Sequence, residues 1–126
     1  MPFVRIAVRA GKSESHRRAL GDAVHRAMVE TIQVPEKDRF QLITEHDPAG
    51  LIYDPSYLDI PRSDGIVFIQ ITISGGRTVE MKKALFARIA GLLAEGAGVR
   101  REDVFVSLIE VAKENWSFGK GIAQYA

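Results

Sequence analysis

A proline at position 2, directly behind Met1, offers this chain a reactive group that no side chain supplies. Removal of the methionine leaves the Pro2 nitrogen as a secondary amine in front of the strand-like run Phe3 to Val8. Free α-amino groups titrate at about 7.7 to 8.0, so modest desolvation or a nearby charge moves such a nitrogen to either side of neutrality. It can then give or take a proton. The competing reading of Pro2 is a strand-edge residue with no donor to lose. Arg77 is the second candidate, because it directly precedes Thr78, a hydroxyl residue suited to capping a helix. A guanidinium there adds charge and a planar fork of donors to a helix start that already attracts anions. His16, His25 and His46 lack the spacing of metal ligands, so they read as solvated or capping residues, and no metal is expected.

What positions these groups is a chain written twice. Residues 3 to 45 overlie residues 68 to 110 at a constant offset of 65, without a gap. Identities in this register include Phe3/Phe68, Ile6/Ile71, Gly11/Gly76, Ala19/Ala84, Leu20/Leu85, Glu30/Glu95, Val34/Val99, Asp38/Asp103, Phe40/Phe105 and Glu45/Glu110. Each copy opens on apolar alternation, Val4-Ile6-Val8 and Val67-Ile69-Ile71-Ile73, the pattern of a strand with one packed face. Gly11 and Gly76 turn the chain, and Ser13 and Thr78 follow as N-cap candidates. Apolar residues then recur at three-and-four spacing, Leu20, Ala23, Val24, Ala27 and Met28 in one copy, Leu85, Ile89, Leu92 and Leu93 in the other. Pro35 helps end the first helix, glycines 96 and 98 end the second, and second strands are expected over Phe40 to Thr44 and Val104 to Ile109. A helical crossover makes the two strands of each unit parallel. The expected fold class is therefore α+β: tandem β-α-β units sharing one four-stranded sheet, with two helices on one face.

The run Val104 to Ile109 is apolar on both alternations, as in a strand buried from both sides, so a homo-oligomer is expected to cover the helix-free face. Residues 46 to 65 link the units and are rich in turn formers; Leu51, Ile52, Tyr53, Tyr57 and Leu58 predict that this loop packs down as a short strand or a lid. Residues 111 to 126 form a tail, and the whole chain, 1 to 126, reads as a single domain. With 17 basic and 16 acidic residues the formal charge is +1, which gives no footprint for nucleic acid. No apolar run approaches the length of a membrane span, and zero cysteines exclude disulfides, thiolate zinc sites and a cysteine nucleophile. With no leader pattern, the expected location is the cytoplasm.

The proline behind the methionine, the doubled β-α-β unit, and the steps Gly11-Lys12-Ser13 and Gly76-Arg77-Thr78 together resemble the tautomerase superfamily. Within it, Asp38-Arg39-Phe40-Gln41 and the tail Trp116-Ser117-Phe118-Gly119-Lys120-Gly121, with Ala123 and Tyr125, are most similar to the malonate semialdehyde decarboxylase group. The resemblance implies a homotrimer and a cofactor-independent enzyme acting on a small oxo acid, either a decarboxylase or a keto-enol tautomerase. It implies that Pro2 is the catalytic amine, Arg77 the grip on the substrate carboxylate, and Asp38 the residue that activates water or tunes the amine. Trp116, Phe118 and Tyr125 match an apolar wall of the pocket. One departure leaves the reaction type open, because the decarboxylase pattern carries a second arginine where this chain has Gly75. Other readings stand beside these. Arg77 pairs with Lys12 and Asp38 with Asp103 in the repeat, so each could belong to the unit rather than to a site. Trp116 and Phe118 could close the core or an interface, and the scaffold could serve a non-catalytic interaction protein or a ferredoxin-like regulatory domain.

Overall fold

The computed structural model describes residues 2–126. Met1 lies outside the described residues, and so does the question of its removal. The elements are β1 (Phe3–Arg9), α1 (Glu14–Ile32), β2 (Gln41–His46), β3 (Val67–Ser74), α2 (Val79–Ala97) and β4 (Val104–Val111). Short 3-10 turns occupy Tyr57–Asp59, Arg101–Asp103 and Lys113–Asn115. The four strands form one sheet in the order β2-β1-β3-β4. Pairs β1–β2 and β3–β4 are parallel, and β1–β3 is antiparallel with Ile6 opposite Ile69. The two units therefore run in opposite senses through one sheet.

Alternation decides which face is packed. Val4, Ile6 and Val8 of β1 and Val67, Ile69, Ile71 and Ile73 of β3 are buried against Leu20, Val24, Met28, Leu85, Ile89 and Leu93 of the two helices. Burial of each such side chain contributes about 1.5 to 3 kcal/mol, which fixes both helices on one face. Leu92 is packed only partly, at the margin of this core. The helices begin alike, with Ser13 Oγ accepting from His16 N–H and Thr78 Oγ1 from Met81 N–H, each at 3.1 Å. Both are tied to the closing strand of their own unit by matching ion pairs, Arg17–Glu45 and Lys82–Glu110.

The helix ends differ in one residue. Gln33 (φ 61°, ψ 35°) and Gly98 (φ 64°, ψ 24°) are left-handed caps whose N–H groups donate to the Met28 and Leu93 carbonyls. Glycine adopts this conformation freely, whereas a residue with a Cβ is strained there by roughly 1–2 kcal/mol. Gly96 lies inside α2, so Gly98 alone is the stop.

The connecting segment departs from expectation. It forms no strand, only the 3-10 turn at Tyr57–Asp59, and of its apolar residues only Leu51 is fully buried. Ile52, Tyr57 and Leu58 are 76%, 66% and 71% exposed, so within the single chain they do not pack down as a lid. Polar anchors hold the loop instead: Arg9 Nη1 donates to Asp64 at 3.1 Å and Arg9 Nη2 to the Leu51 carbonyl at 3.2 Å. Ser63 donates to the buried Asp103 through its N–H at 2.7 Å and its hydroxyl at 2.6 Å. His25, expected to be solvated or capping, is buried, and its Nε2–H donates to the Glu36 carbonyl at 2.8 Å, pinning the α1–β2 turn.

The sheet face away from the helices is uncovered in the single chain. Leu42, Phe105 and Ile109 are exposed on it, so the doubly apolar β4 has one of its two faces bare. Among the described residues, no helix is long and apolar enough to cross a membrane.

Candidate functional site

Because the units run oppositely, one end of the sheet collects the start of β1, the start of β2, the end of β3 and the end of β4. Pro2 is buried at that end, one residue ahead of Phe3, which pairs with Thr72 near the end of β3. The Val4 N–H donates to the Phe40 carbonyl at 3.0 Å, drawing the Asp38–Phe40 segment to the same end. Asp38 is half-buried in the turn, its N–H donating to the Pro35 carbonyl at 3.0 Å. Its repeat partner makes the same turn, with Asp103 N–H donating to the Arg100 carbonyl at 2.9 Å.

Arg77 is held by the backbone of two elements. Its Nη1 donates to the Ser74 carbonyl at 2.8 Å and its Nη2 to the Ile32 carbonyl, at the last turn of α1, at 3.4 Å. A guanidinium has five N–H donors, so the group is oriented while donors remain for an anion. Beside it opens a cleft of about 440 Å³ lined by Ile32, Gln33, Ser74, Gly75, Gly76, Arg77, Met81, Lys113 and Tyr125. The helix start at Thr78 contributes partial positive charge to the same region.

Gly75 lies against the Glu110 carboxylate. A Cβ there would lie 3.2 Å from Glu110 Oε2, so a larger residue would require that carboxylate to shift by a few tenths of an ångström. Glu110 titrates below the usual carboxylate range, chiefly through the Lys82 hydrogen bond and Lys82 charge, with smaller contributions from the Gly76 N–H and the Arg77 charge.

The tail returns over this end as an aromatic stack. Trp116 and Phe118 are stacked at 5.4 Å and 12°, Tyr125 meets Phe118 edge-on at 5.5 Å, and Phe40 meets Phe118 at 6.2 Å. Positive φ at Gly119, Lys120 and Gly121 reverses the chain, and Gln124 closes the turn by accepting from Phe118 N–H and donating to the Gly119 carbonyl, both at 3.0 Å. Trp116 Nε1–H donates to Ser74 Oγ at 3.1 Å, fastening the stack to β3.

Of the candidate residues, Arg77 and Tyr125 line the cleft, Trp116 and Phe118 back it, and Pro2 and Asp38 stand at the same sheet end without lining it in the single chain. Sequence reasoning missed three residues. Ser74 couples Arg77 to Trp116, a role that only the returning tail creates. Lys113 lines the cleft from the turn after β4. Gln33 did carry a signal, since the 65-residue offset matches it to Gly98, a helix stop.

Comparison with known proteins fits this arrangement. A family model described as tautomerase enzyme matches residues 38–119, and a second of the same description matches residues 2–59. A curated relative, the probable tautomerase YusQ of Bacillus subtilis (strain 168), is 44% identical over 124 residues, covering 98% of each chain. The chain belongs to the tautomerase family. A second probable tautomerase of that organism, YrdN, is 32% identical over 99% of this chain and 96% of its own. Among solved structures, the FG41 malonate semialdehyde decarboxylase inhibited by 3-bromopropiolate is similar at TM-score 0.92 and 43% identity, covering 98% of this tautomerase-family chain and 93% of that one. A fused 4-OT symmetric trimer shares the fold at TM-score 0.78 and 22% identity, covering 95% of this chain and 94% of that one.

Proposed function

We propose that this tautomerase-family chain is a cofactor-independent enzyme that uses the Pro2 amine, exposed by loss of Met1, on a small oxo acid. Malonate semialdehyde decarboxylation and keto-enol tautomerisation are the two reactions in question. The observation that carries the reading is the Arg77 guanidinium, fixed by two carbonyls and lining a cleft at the sheet end where Pro2 is buried. The likeness to the FG41 malonate semialdehyde decarboxylase supports the substrate class.

In this reading the free donors of Arg77 bind the carboxylate in the paired geometry that suits a planar guanidinium. For decarboxylation the amine is cationic: it donates to the aldehyde oxygen of 3-oxopropanoate as the bond to the carboxylate breaks, carbon dioxide leaves, and its electrons pass into an enol. Protonation of that enol at carbon from solvent, with the hydroxyl proton returning to the Pro2 nitrogen, yields acetaldehyde. For tautomerisation the amine is neutral, takes the enol proton and returns one to carbon. Asp38, beside the β1 start, tunes the amine or activates water. Trp116, Phe118 and Tyr125 exclude bulk water, which strengthens each charge interaction inside.

The assembly we propose is a homotrimer that covers Leu42, Phe105 and Ile109 on the bare sheet face, in the manner of the fused 4-OT trimer, and acts in the cytoplasm. Sedimentation of a single species of three times the chain mass supports it; a monomer at micromolar concentration contradicts it. Function is tested with protein of native amino terminus, verified by intact mass, by following acetaldehyde from malonate semialdehyde and ketonisation of phenylenolpyruvate. Turnover of either that disappears in Pro2→Ala supports the enzyme. No turnover of either, with Pro2→Ala leaving the biological phenotype intact, favours a non-catalytic interaction protein.

A further inference from the structure

We infer that Gln33 is a specificity-determining residue of the Arg77 cleft, its carboxamide hydrogen-bonding the keto or enol oxygen of the oxo acid whose carboxylate Arg77 holds. The inference rests on the oxo-acid reading above. Three observations meet at this residue.

The first is backbone strain without a folding reason. At the matching position the second unit ends its helix with Gly98 in nearly the same dihedral angles, and the same pair of N–H groups closes each turn: Val34 N–H donates to the Met28 carbonyl at 3.3 Å and Val99 N–H to the Leu93 carbonyl at 3.2 Å. Glycine therefore meets every geometric need of this cap, and a side chain at position 33 is held in a disfavoured region. Strain of this kind clusters at active sites and ligand clamps, and here it falls on a residue that lines the Arg77 cleft.

The second is place. Gln33 lines the cleft that Arg77 lines, and the carbonyl of the preceding residue, Ile32, accepts from Arg77 Nη2. The left-handed turn and the guanidinium thus border one cleft. Among the described residues no hydrogen bond engages the Gln33 side chain, so its donor and acceptor are both available.

The third is chemical type. The end of α1 presents partial negative charge from its last carbonyls, which disfavours a carboxylate at this position but not a neutral amide. A carboxamide can donate to a keto oxygen through its NH₂ and accept from an enol hydroxyl through its carbonyl, so it reads both tautomers.

The test is steady-state kinetics with malonate semialdehyde and phenylenolpyruvate on wild type, Gln33→Gly, Gln33→Asn and Gln33→Glu, with thermal midpoints recorded. Gly98→Gln serves as the remote control. Gln33→Gly is expected to raise the thermal midpoint, because strain is relieved, while lowering kcat/KM about tenfold, the scale of one neutral hydrogen bond. Gln33→Asn, which keeps an amide and tolerates the left-handed region, is expected to recover part of that loss. Gln33→Glu is expected to raise KM more than it lowers kcat, by repelling the carboxylate. Gly98→Gln is expected to lower the midpoint and leave KM unchanged. A Gln33→Gly enzyme within twofold of wild-type kcat/KM on both substrates overturns the inference. If wild type turns over neither substrate, the oxo-acid reading fails separately, and pyruvate titration followed by amide chemical shifts decides the residue: weaker binding by Gln33→Gly supports its role, and equal binding overturns it.

Discussion

The two ends of the sheet are built from the same backbone and filled with different side chains. At one end stand Pro2, Asp38, Ser74, Arg77 and the Gln33 cap; at the other, in matching positions, stand Val67, Asp103, Arg9, Lys12 and the Gly98 cap. Val67 is fully buried core where the first end has an imino residue. Asp103 is buried and saturated by Ser63, so it acts as a structural acceptor, whereas Asp38 is half-buried at the sheet end. Lys12 is exposed, while Arg77 is locked on two carbonyls. The connecting loop is anchored at the second end through Arg9, Tyr53 and Asp64, with Tyr53 O–H donating to Asp64 at 2.6 Å and Arg9 lying 5.3 Å from the Tyr53 ring centre. The first end carries the aromatic tail beside the Arg77 cleft of about 440 Å³, whereas the second has a smaller cleft, of about 290 Å³, between the loop and Phe68 and Phe105. A duplicated unit thus supplies geometry twice, and chemistry is read from the positions where the copies disagree.

The largest effect that would break this contrast is at position 2. Pro2→Ala is expected to lower kcat/KM by about 10²- to 10⁴-fold with the thermal midpoint preserved. The matching change, Val67→Ala, is expected to cost about 2 kcal/mol of stability in a urea titration and leave turnover unchanged. A Pro2→Ala enzyme of full activity would erase the distinction between the ends.

Next is the basic pair. Arg77→Ala removes charge-assisted hydrogen bonds worth about 1.5–3 kcal/mol, so kcat/KM is expected to fall roughly 10- to 100-fold, mostly through KM. Lys12→Ala is expected to change stability by less than about 0.5 kcal/mol and kinetics not at all. The acidic pair sharpens the comparison in the opposite direction. Asp103→Ala leaves the Ser63 N–H without its acceptor and is expected to destabilise the fold by about 1–3 kcal/mol in chemical denaturation. Asp38→Ala is expected to show its cost in turnover instead.

The smallest effect concerns the scaffold beneath Gly75. Glu110 has its folded-state pKa held below the ordinary 4.5 by Lys82, so the unfolded chain binds the proton more tightly. Its contribution to stability is complete above pH 4.5 and is lost as pH falls through the folded value. The difference in urea midpoint between wild type and Glu110→Gln is accordingly expected at pH 7 and should close under strongly acidic conditions.

Much of this was legible from residue order. The offset of 65 named both helices, their N-caps, the parallel pairing within each unit and the apolar stripes, because each copy constrains the other and hydrophobic periodicity is local. Strand ends were less legible: β2 begins at Gln41 rather than Phe40, and β4 runs on to Val111, since pairing with a neighbour decides where a strand stops. The loop misled for a similar reason. Ile52, Tyr57 and Leu58 are apolar, yet polar anchors at Ser63 and Asp64 bind the loop and leave those side chains outside.

Sequence by itself determined that two β-α-β units share one sheet and that Pro2 has no counterpart in the second unit, where Val67 stands. Periodicity and offset carry that information along the chain. Tertiary structure alone decided that Ser74 joins Arg77 to Trp116, that Gln33 shares a cleft with Arg77, and that Asp103 is sealed by the loop. Ser74 and Trp116 are 42 residues apart and Ser63 and Asp103 are 40 apart, while Gln33 meets Arg77 only once antiparallel docking of the two units has brought the end of α1 beside the end of β3.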